Sequence, residues 1–205
     1  DVVDIIEEEA TEDMEKMAAM LPSEKPYNQT TIFETYKARM PWLLLLMISA
    51  TFTGKIIESF EKELKAYTIL TAFIPMLMDT GGNAGSQSSV SVIRALSLND
   101  IKFKDIFKVM WKESKVAILC SLTLAICNFL KLLIIDRIPL LVSLTVCLTL
   151  IVTIILAKLI GCTLPMIAKK LKFDPAVMAS PFITTIVDAC SLLIYFYIAK
   201  LLLGI

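Results

Sequence analysis

Long apolar runs, separated by short charged or proline-bearing segments, dominate the chain. The first begins near Pro41 as PWLLLLMISATFTG. The second extends from about Ala66 to Leu98, the third from about Val116 to Ile135, the fourth from about Leu140 to Ile167, and the fifth from about Pro175 to Gly204. A helix needs ~20 residues to cross the hydrocarbon of a bilayer, and these runs approach or exceed that length. Asp136, Arg137, Ile138 and Pro139 leave room only for a tight turn between the third and fourth. The pattern predicts an all-α membrane protein with five transmembrane helices.

Two segments between the runs are amphipathic. In KIIESFEKELK (55–65), Ile56, Ile57, Phe60 and Leu64 share a face. In NDIKFKDIFKVMWKESK, Phe103, Ile106, Phe107 and Met110 recur at helical spacing, and Lys104, Lys108 and Lys112 line another face. Both suit interfacial helices lying on the membrane surface. Residues 1–21 also carry a helical pattern, with Asp1, Asp4, Glu8, Glu12 and Glu15 on one face. Like charges at that spacing repel. Two readings stand: a solvated linker helix, or a face that takes a divalent cation. Pro22 and Pro26 end it. The expected domains are an acidic connecting helix and linker (1–30) and a membrane domain (31–205). The chain starts without Met or a signal peptide, so it is expected to be part of a longer protein.

Charge sets the orientation. Net charge is zero, but Lys16 is the one base among the acids of residues 1–24. Lys37 and Arg39, then Lys102, Lys104, Lys108, Lys112 and Lys115, then Lys169, Lys170 and Lys172 fall on one side of a five-span chain. That side is expected to be cytoplasmic. On the other side, Lys55, Lys62, Lys65 and Arg137 are nearly matched by Glu58, Glu61, Glu63 and Asp136. The N-terminus is then inside and the C-terminus outside the plasma membrane. The chain has no His, which excludes a His-built zinc or haem site. Its five cysteines match no metal spacing and read as small hydrophobes. No nucleophile–base pair or phosphate loop argues for an enzyme, and nothing points to nucleic acid.

The polar residues inside the spans carry the chemistry. A midspan carboxylate costs about 2.5–3.5 kcal/mol on insertion scales, and Asp79 and Asp188 both lie there. Ser180, Thr184, Asp188 and Ser191 share one helix face, as in a pore-lining helix. In DTGGNAGSQSS (79–89), Asp79, Asn83 and Gln87 recur every four residues. Gly81 and Gly82 weaken the helix there, and Gly81 and Gly85 with Ser89 permit close helix approach. Asp79 has two readings, an ion ligand or a partner for Lys158. Oxygen ligands suit hard cations: Mg²⁺ or Ca²⁺ best, Mn²⁺ less selectively. Sparse carboxylates suit hydrated Mg²⁺.

PMLMDTGGNAGSQSS and DPAVMASPFITTIVDACSLLIYF resemble the signature segments of the MgtE magnesium transporter family, and DVVDIIEEEATEDM resembles its junction between regulatory and membrane domains. The resemblance covers essentially the whole chain. It implies a homodimer of five-span subunits in the lipid bilayer, with a central Mg²⁺ pore. It implies that Asp188 is the pore aspartate, with Thr184 and Ser180 below it towards the cytoplasm. The leader, with Glu8, Glu12 and Asp13, is then the gating plug helix, which Mg²⁺ bridges to cytosolic N and CBS domains absent from this chain. Without those domains the leader is expected to be mobile or displaced, held only by whatever it touches on the cytoplasmic face, with Lys108 and Lys112 as candidates. The expected activity is channel-type Mg²⁺ uptake driven by membrane potential. The rivals are a Na⁺- or H⁺-coupled exchanger and a non-conducting membrane anchor for the cytosolic domains.

Overall fold

The computed structural model describes residues 2–23, 25–178 and 180–204. Asp1 and Glu24 of the leader, and the Ser180 side chain, lie outside the described residues. Among the described residues seven α-helices follow in order: α1 (Val2–Met17), α2 (Ile32–Ser59), α3 (Glu61–Ala66), α4 (Ile74–Ser97), α5 (Ile106–Leu130), α6 (Leu140–Lys170) and α7 (Ser180–Leu203). Four stretches are long and apolar enough to cross a membrane: Ile32–Ser59, Phe103–Ile135, Leu140–Lys170 and Pro175–Leu203. α4 has 24 residues, ~36 Å of helix, but its polar stretch keeps it out of that group.

Several boundaries differ from the sequence expectation. α2 starts nine residues before Pro41, which lies inside it. The start signal is a capping box: Thr31 N donates to Glu34 Oε2 at 2.8 Å and Glu34 N to Thr31 Oγ1 at 3.3 Å. The 55–65 segment is no single interfacial helix. Its first residues finish α2, the helix breaks at Phe60, and α3 follows. The apolar face serves the core instead: Phe60 stacks on Phe196 with ring centroids 4.5 Å apart, and Leu64 is buried. A 3-10 stretch, Thr68–Phe73, then delays the start of α4 to Ile74. The basic segment is not a separate surface helix either. After a turn at Asn99 (φ +58°) it continues as α5 into the third span. No Gly or Pro stands between Lys102 and Leu130 to stop it.

α4 runs alongside α6 in constant register. Gly81 meets Thr153, Gly85 meets Ala157 and Gly161, and Lys169 Nζ donates to the Leu96 carbonyl at 2.5 Å. The two helices are therefore parallel. α7 runs antiparallel on the other side: Gly82 meets Thr184, Gly85 meets Ile183, and Ser89 Oγ donates to the Met178 carbonyl at 3.4 Å. At the opposite end, Tyr195 Oη donates to the Leu70 carbonyl at 3.0 Å, and Lys200 pairs with Glu63 at 2.8 Å. Leu77, Ile154, Ile183 and Leu192 form one buried cluster across these three helices.

The closest approach is between backbones. A Cβ placed on Gly161 would lie 2.1 Å from the Gly85 carbonyl oxygen. Only a glycine at 161 allows that contact.

α1 does not sit on Lys108 or Lys112; among the described residues neither forms an ion pair with it. Lys16, the one base of the helix, pairs with Asp174 at 2.5 Å and also with Glu12. α1 rests against the Pro175–Met178 turn, and the linker is tied back by Leu21 N to the Ala38 carbonyl (2.9 Å) and Ser23 N to Glu15 Oε2 (2.8 Å). Asp174, and not Lys108 or Lys112, supplies the charge that α1 meets on the bundle. Hydrogen bonds to Asp174 and Glu12 hold the Lys16 ammonium above its ordinary range. Burial, and then the charge of Asp174, push the Asp13 carboxyl up.

Two outcomes are expected. Gly161→Ala must push α4 from α6 against backbone, so it should lower unfolding stability by ~1–3 kcal/mol. Gly54→Ala, with nothing within 4 Å, should change it by less than ~0.5 kcal/mol. Equal effects in detergent unfolding would contradict the packing. For α1, a raised Asp13 value means that its favourable contribution to docking is complete below the ordinary carboxylate range. That contribution is lost as pH rises through the raised value. At neutral pH, Asp13→Asn should therefore slow protease cleavage in residues 18–23, and Lys16→Met should speed it. The Asp13→Asn difference should vanish in acid.

Candidate cation site

α4 has two faces of opposite character. Gly81, Gly82 and Gly85 are buried. Cβ atoms on them would lie 2.7 Å from Thr153 Cγ2, 2.9 Å from Thr184 Cγ2 and 2.8 Å from Ile183 Cγ2 respectively. The other face carries Asp79, Asn83 and Gln87, all exposed. These three line a cavity of ≈ 520 Å³ together with Thr80, Thr123 of α5 and Lys158 of α6. The glycines do not break α4, which is continuous from Ile74 to Ser97. They are its packing face.

Asp188 lies half-buried on α7. The antiparallel register sets it level with the first turns of α4, since Val187 and Ser191 both flank Gly81. Thr184, one turn away, donates its hydroxyl to the Pro181 carbonyl at 2.9 Å. Its proton is thus spent, and its oxygen is left as an acceptor. Ser191 behaves differently. It is buried against Gly81 and donates to the Val187 carbonyl at 2.6 Å, so its role is packing. The Ser180 side chain lies outside the described residues.

Lys158 is buried, with 4% of its surface exposed. Among the described residues no ion pair within 4 Å joins it to Asp79. Its Nζ lies 3.4 Å from Ser88 Oγ, and that hydroxyl donates to Glu113 Oε2 at 2.6 Å. Sequence reasoning missed Ser88, Glu113 and Gly161. Glu113 hides as one acid in a basic run. Gly161 ends a ladder (Thr145, Thr149, Thr153, Ala157, Gly161) whose spacing of four was the available signal. Within that ladder the buried Thr153 hydroxyl has no hydrogen-bond partner among the described residues.

Of the leader acids, Glu8 is exposed, Glu12 pairs with Lys16, and Asp13 stands near Asp174. They gather at the Asp174 end of the bundle, not at Asp188. Among the described residues no group of three or more Cys, Asp or Glu could close around a metal ion. What the geometry offers is an open acceptor face of one carboxylate and two side-chain amides on α4, with Asp188 and the Thr184 oxygen part-buried on the neighbouring α7. Such groups accept hydrogen bonds from the water shell of a cation.

Known proteins with similar sequences agree in kind. The MgtE family, described as divalent cation transporters, matches residues 74–198, which hold α4 to α7. The magnesium transporter MgtE of Thermus thermophilus is 37% identical over 203 residues, covering 99% of this chain and 45% of its own length. That of Bacillus subtilis is 37% identical, covering 97% and 44%. That of Enterococcus faecalis is 32% identical, covering 98% and 44%. The chain thus spans a little under half the length of these relatives. With 97–99% of it aligned to them and Asp79 and Asp188 inside the family match, it belongs to the MgtE family of divalent cation transporters.

Proposed function

We propose that this chain forms the ion-conducting part of a Mg²⁺ transporter in the plasma membrane. Five helices cross the bilayer, α4 joining the four apolar ones as the second span, with the N-terminus cytoplasmic and the C-terminus outside. Residues 1–30 are the gating leader and linker, and residues 31–205 the pore domain. Two copies pair so that their Asp188 carboxylates face one hydrated ion at the shared axis. Regulatory cytosolic domains lie in the part of the protein beyond this chain.

One observation carries the reading. The glycine face of α4 is packed so closely on α6 and α7 that its Asp79, Asn83 and Gln87 face is left open, with Asp188 on α7 level with the same turns. The parallel register of α4 with α6, itself long and apolar enough to span, supports α4 as a span. Mg²⁺ releases its waters reluctantly and is commonly held through one or two carboxylates with several waters retained. An acceptor surface with few carboxylates fits that habit. Asp79 and the two amides meet the hydrated ion first, and Asp188 holds it where the two copies meet. The membrane potential supplies the drive: a divalent ion gains ~4.6 kcal/mol per 100 mV, twice the single-charge value. No step here requires protein chemistry beyond hydrogen bonding and charge, so the activity is transport and not catalysis.

The test is uptake of Mg²⁺ into liposomes holding the purified protein under an inside-negative potential. Charged hydrogen bonds contribute ~1.5–3 kcal/mol, so Asp188→Ala should lower uptake ~10–100-fold with the dimer intact. Asp79→Asn should lower it only a few-fold. Replacing Na⁺ or collapsing the proton gradient should leave the parent rate unchanged. Full uptake by Asp188→Ala would remove that residue from the pathway. Dependence on Na⁺ or H⁺ would make the protein a coupled exchanger, and absence of flux would make it an anchor.

A further inference from the structure

The cavity beside α4 contains a fixed positive charge that the transport reading does not use. Lys158 is 4% exposed, yet it lines the same ≈ 520 Å³ space as Asp79, Asn83 and Gln87. A lysine in a membrane bundle persists only with a partner or a task. Its ammonium meets Ser88 Oγ at 3.4 Å, and Ser88 donates to Glu113 Oε2 at 2.6 Å. One hydroxyl therefore links a cation on α6 to a carboxylate on α5 through α4. The relay is neutral as a whole but polarised. Its positive end borders the cavity, and its negative end lies on α5, two turns from the helix start.

We propose that the Lys158–Ser88–Glu113 relay sets the electrostatic potential of the α4 cavity, making Lys158 a specificity-determining residue for divalent cation passage. Conduction requires that an ion be bound well enough to enter and weakly enough to leave. Asp79, with Asn83 and Gln87, attracts a divalent ion, and Lys158 on the same wall opposes its retention. Glu113 offsets that opposition through Ser88, so the cavity feels a partial positive charge. Coulomb energy scales with the product of the charges, so a divalent ion senses this balance twice as strongly as a monovalent one. The inference rests on the transport reading above.

Its test is the concentration dependence of Mg²⁺ uptake by the purified protein in liposomes. Lys158→Met leaves Glu113 without its counter-charge and the cavity negative. KM should fall ~10-fold, and the maximal rate should fall with it because the ion leaves slowly. Glu113→Gln leaves the ammonium unbalanced, so KM should rise ~10-fold. The double variant Lys158→Met/Glu113→Gln removes both charges and should return KM to within ~3-fold of the parent. Lys158→Arg should retain the parent value. A purely structural relay would lower the amount of folded protein and the maximal rate in both single variants without moving KM in opposite directions. Shifts of the same sign, or none, overturn the proposal. Should Lys158→Met fail to fold, the near-isosteric Glu113→Gln decides alone, and an unchanged KM overturns the proposal. Absence of flux in the parent overturns the transport reading together with this one, whereas parent flux without opposed KM shifts overturns only the relay.

Discussion

The rest of the bundle depends on one contact between backbones. Gly161 of α6 lies so near the Gly85 carbonyl that a single added carbon would stand 2.1 Å from the oxygen. In lipid, helices gain little by hiding apolar surface from each other, because the surrounding chains are as apolar as leucine. Close fit and interhelical hydrogen bonds provide the attraction instead. Here the fit extends along α4 on two sides. Thr153, Ala157 and Gly161 bound it on α6, and Ile183, Thr184 and Val187 on α7. The contact fixes both the depth of α4 and its rotation.

Rotation is what gives the site. A helix clamped on its glycine face has no choice about where the residues opposite point. Asp79, Asn83 and Gln87 are exposed because Gly81, Gly82 and Gly85 are buried. The polar stretch that lowers the hydropathy of α4 is thus also the reason the helix can sit at the centre of an otherwise apolar bundle. The ends are pinned by different chemistry: Lys169 to the Leu96 carbonyl at one end, Tyr195 to the Leu70 carbonyl and Lys200 to Glu63 at the other. α1 joins the first of these ends through Lys16 and Asp174.

Much of this was legible in the sequence, and the failures have physical causes. Apolar runs found the long helices, because length and hydropathy are what a bilayer demands. The spacing of Asp79, Asn83 and Gln87 gave their common face. Ser191 shares a face with Asp188 by periodicity, but rotation of α7 against Gly81 buries it, and rotation is a tertiary quantity. The two amphipathic segments carried real faces but no statement of what those faces would meet. Phe60 and Leu64 found the core, and residues 106–115 simply continued a helix that had no breaker. The sequence pattern offers only midspan acids as a counter-charge for Lys158. The counter-charge came through a serine from Glu113, 45 positions away along the chain, a pairing that no local pattern encodes. Lys16 likewise met Asp174 because the α6–α7 turn returns to the leader.

The account turns on α4 crossing the membrane in parallel with α6, and sidedness measures that directly. In a protein whose five cysteines are replaced, Ala72→Cys and Ser97→Cys would mark the two ends of α4, both at exposed positions. A membrane-impermeant thiol reagent added to sealed, right-side-out vesicles is expected to label position 72 and to reach position 97 only after the membrane is opened. Labelling of both positions from the same side would mean that α4 does not span, and the site built on its polar face would have to be abandoned.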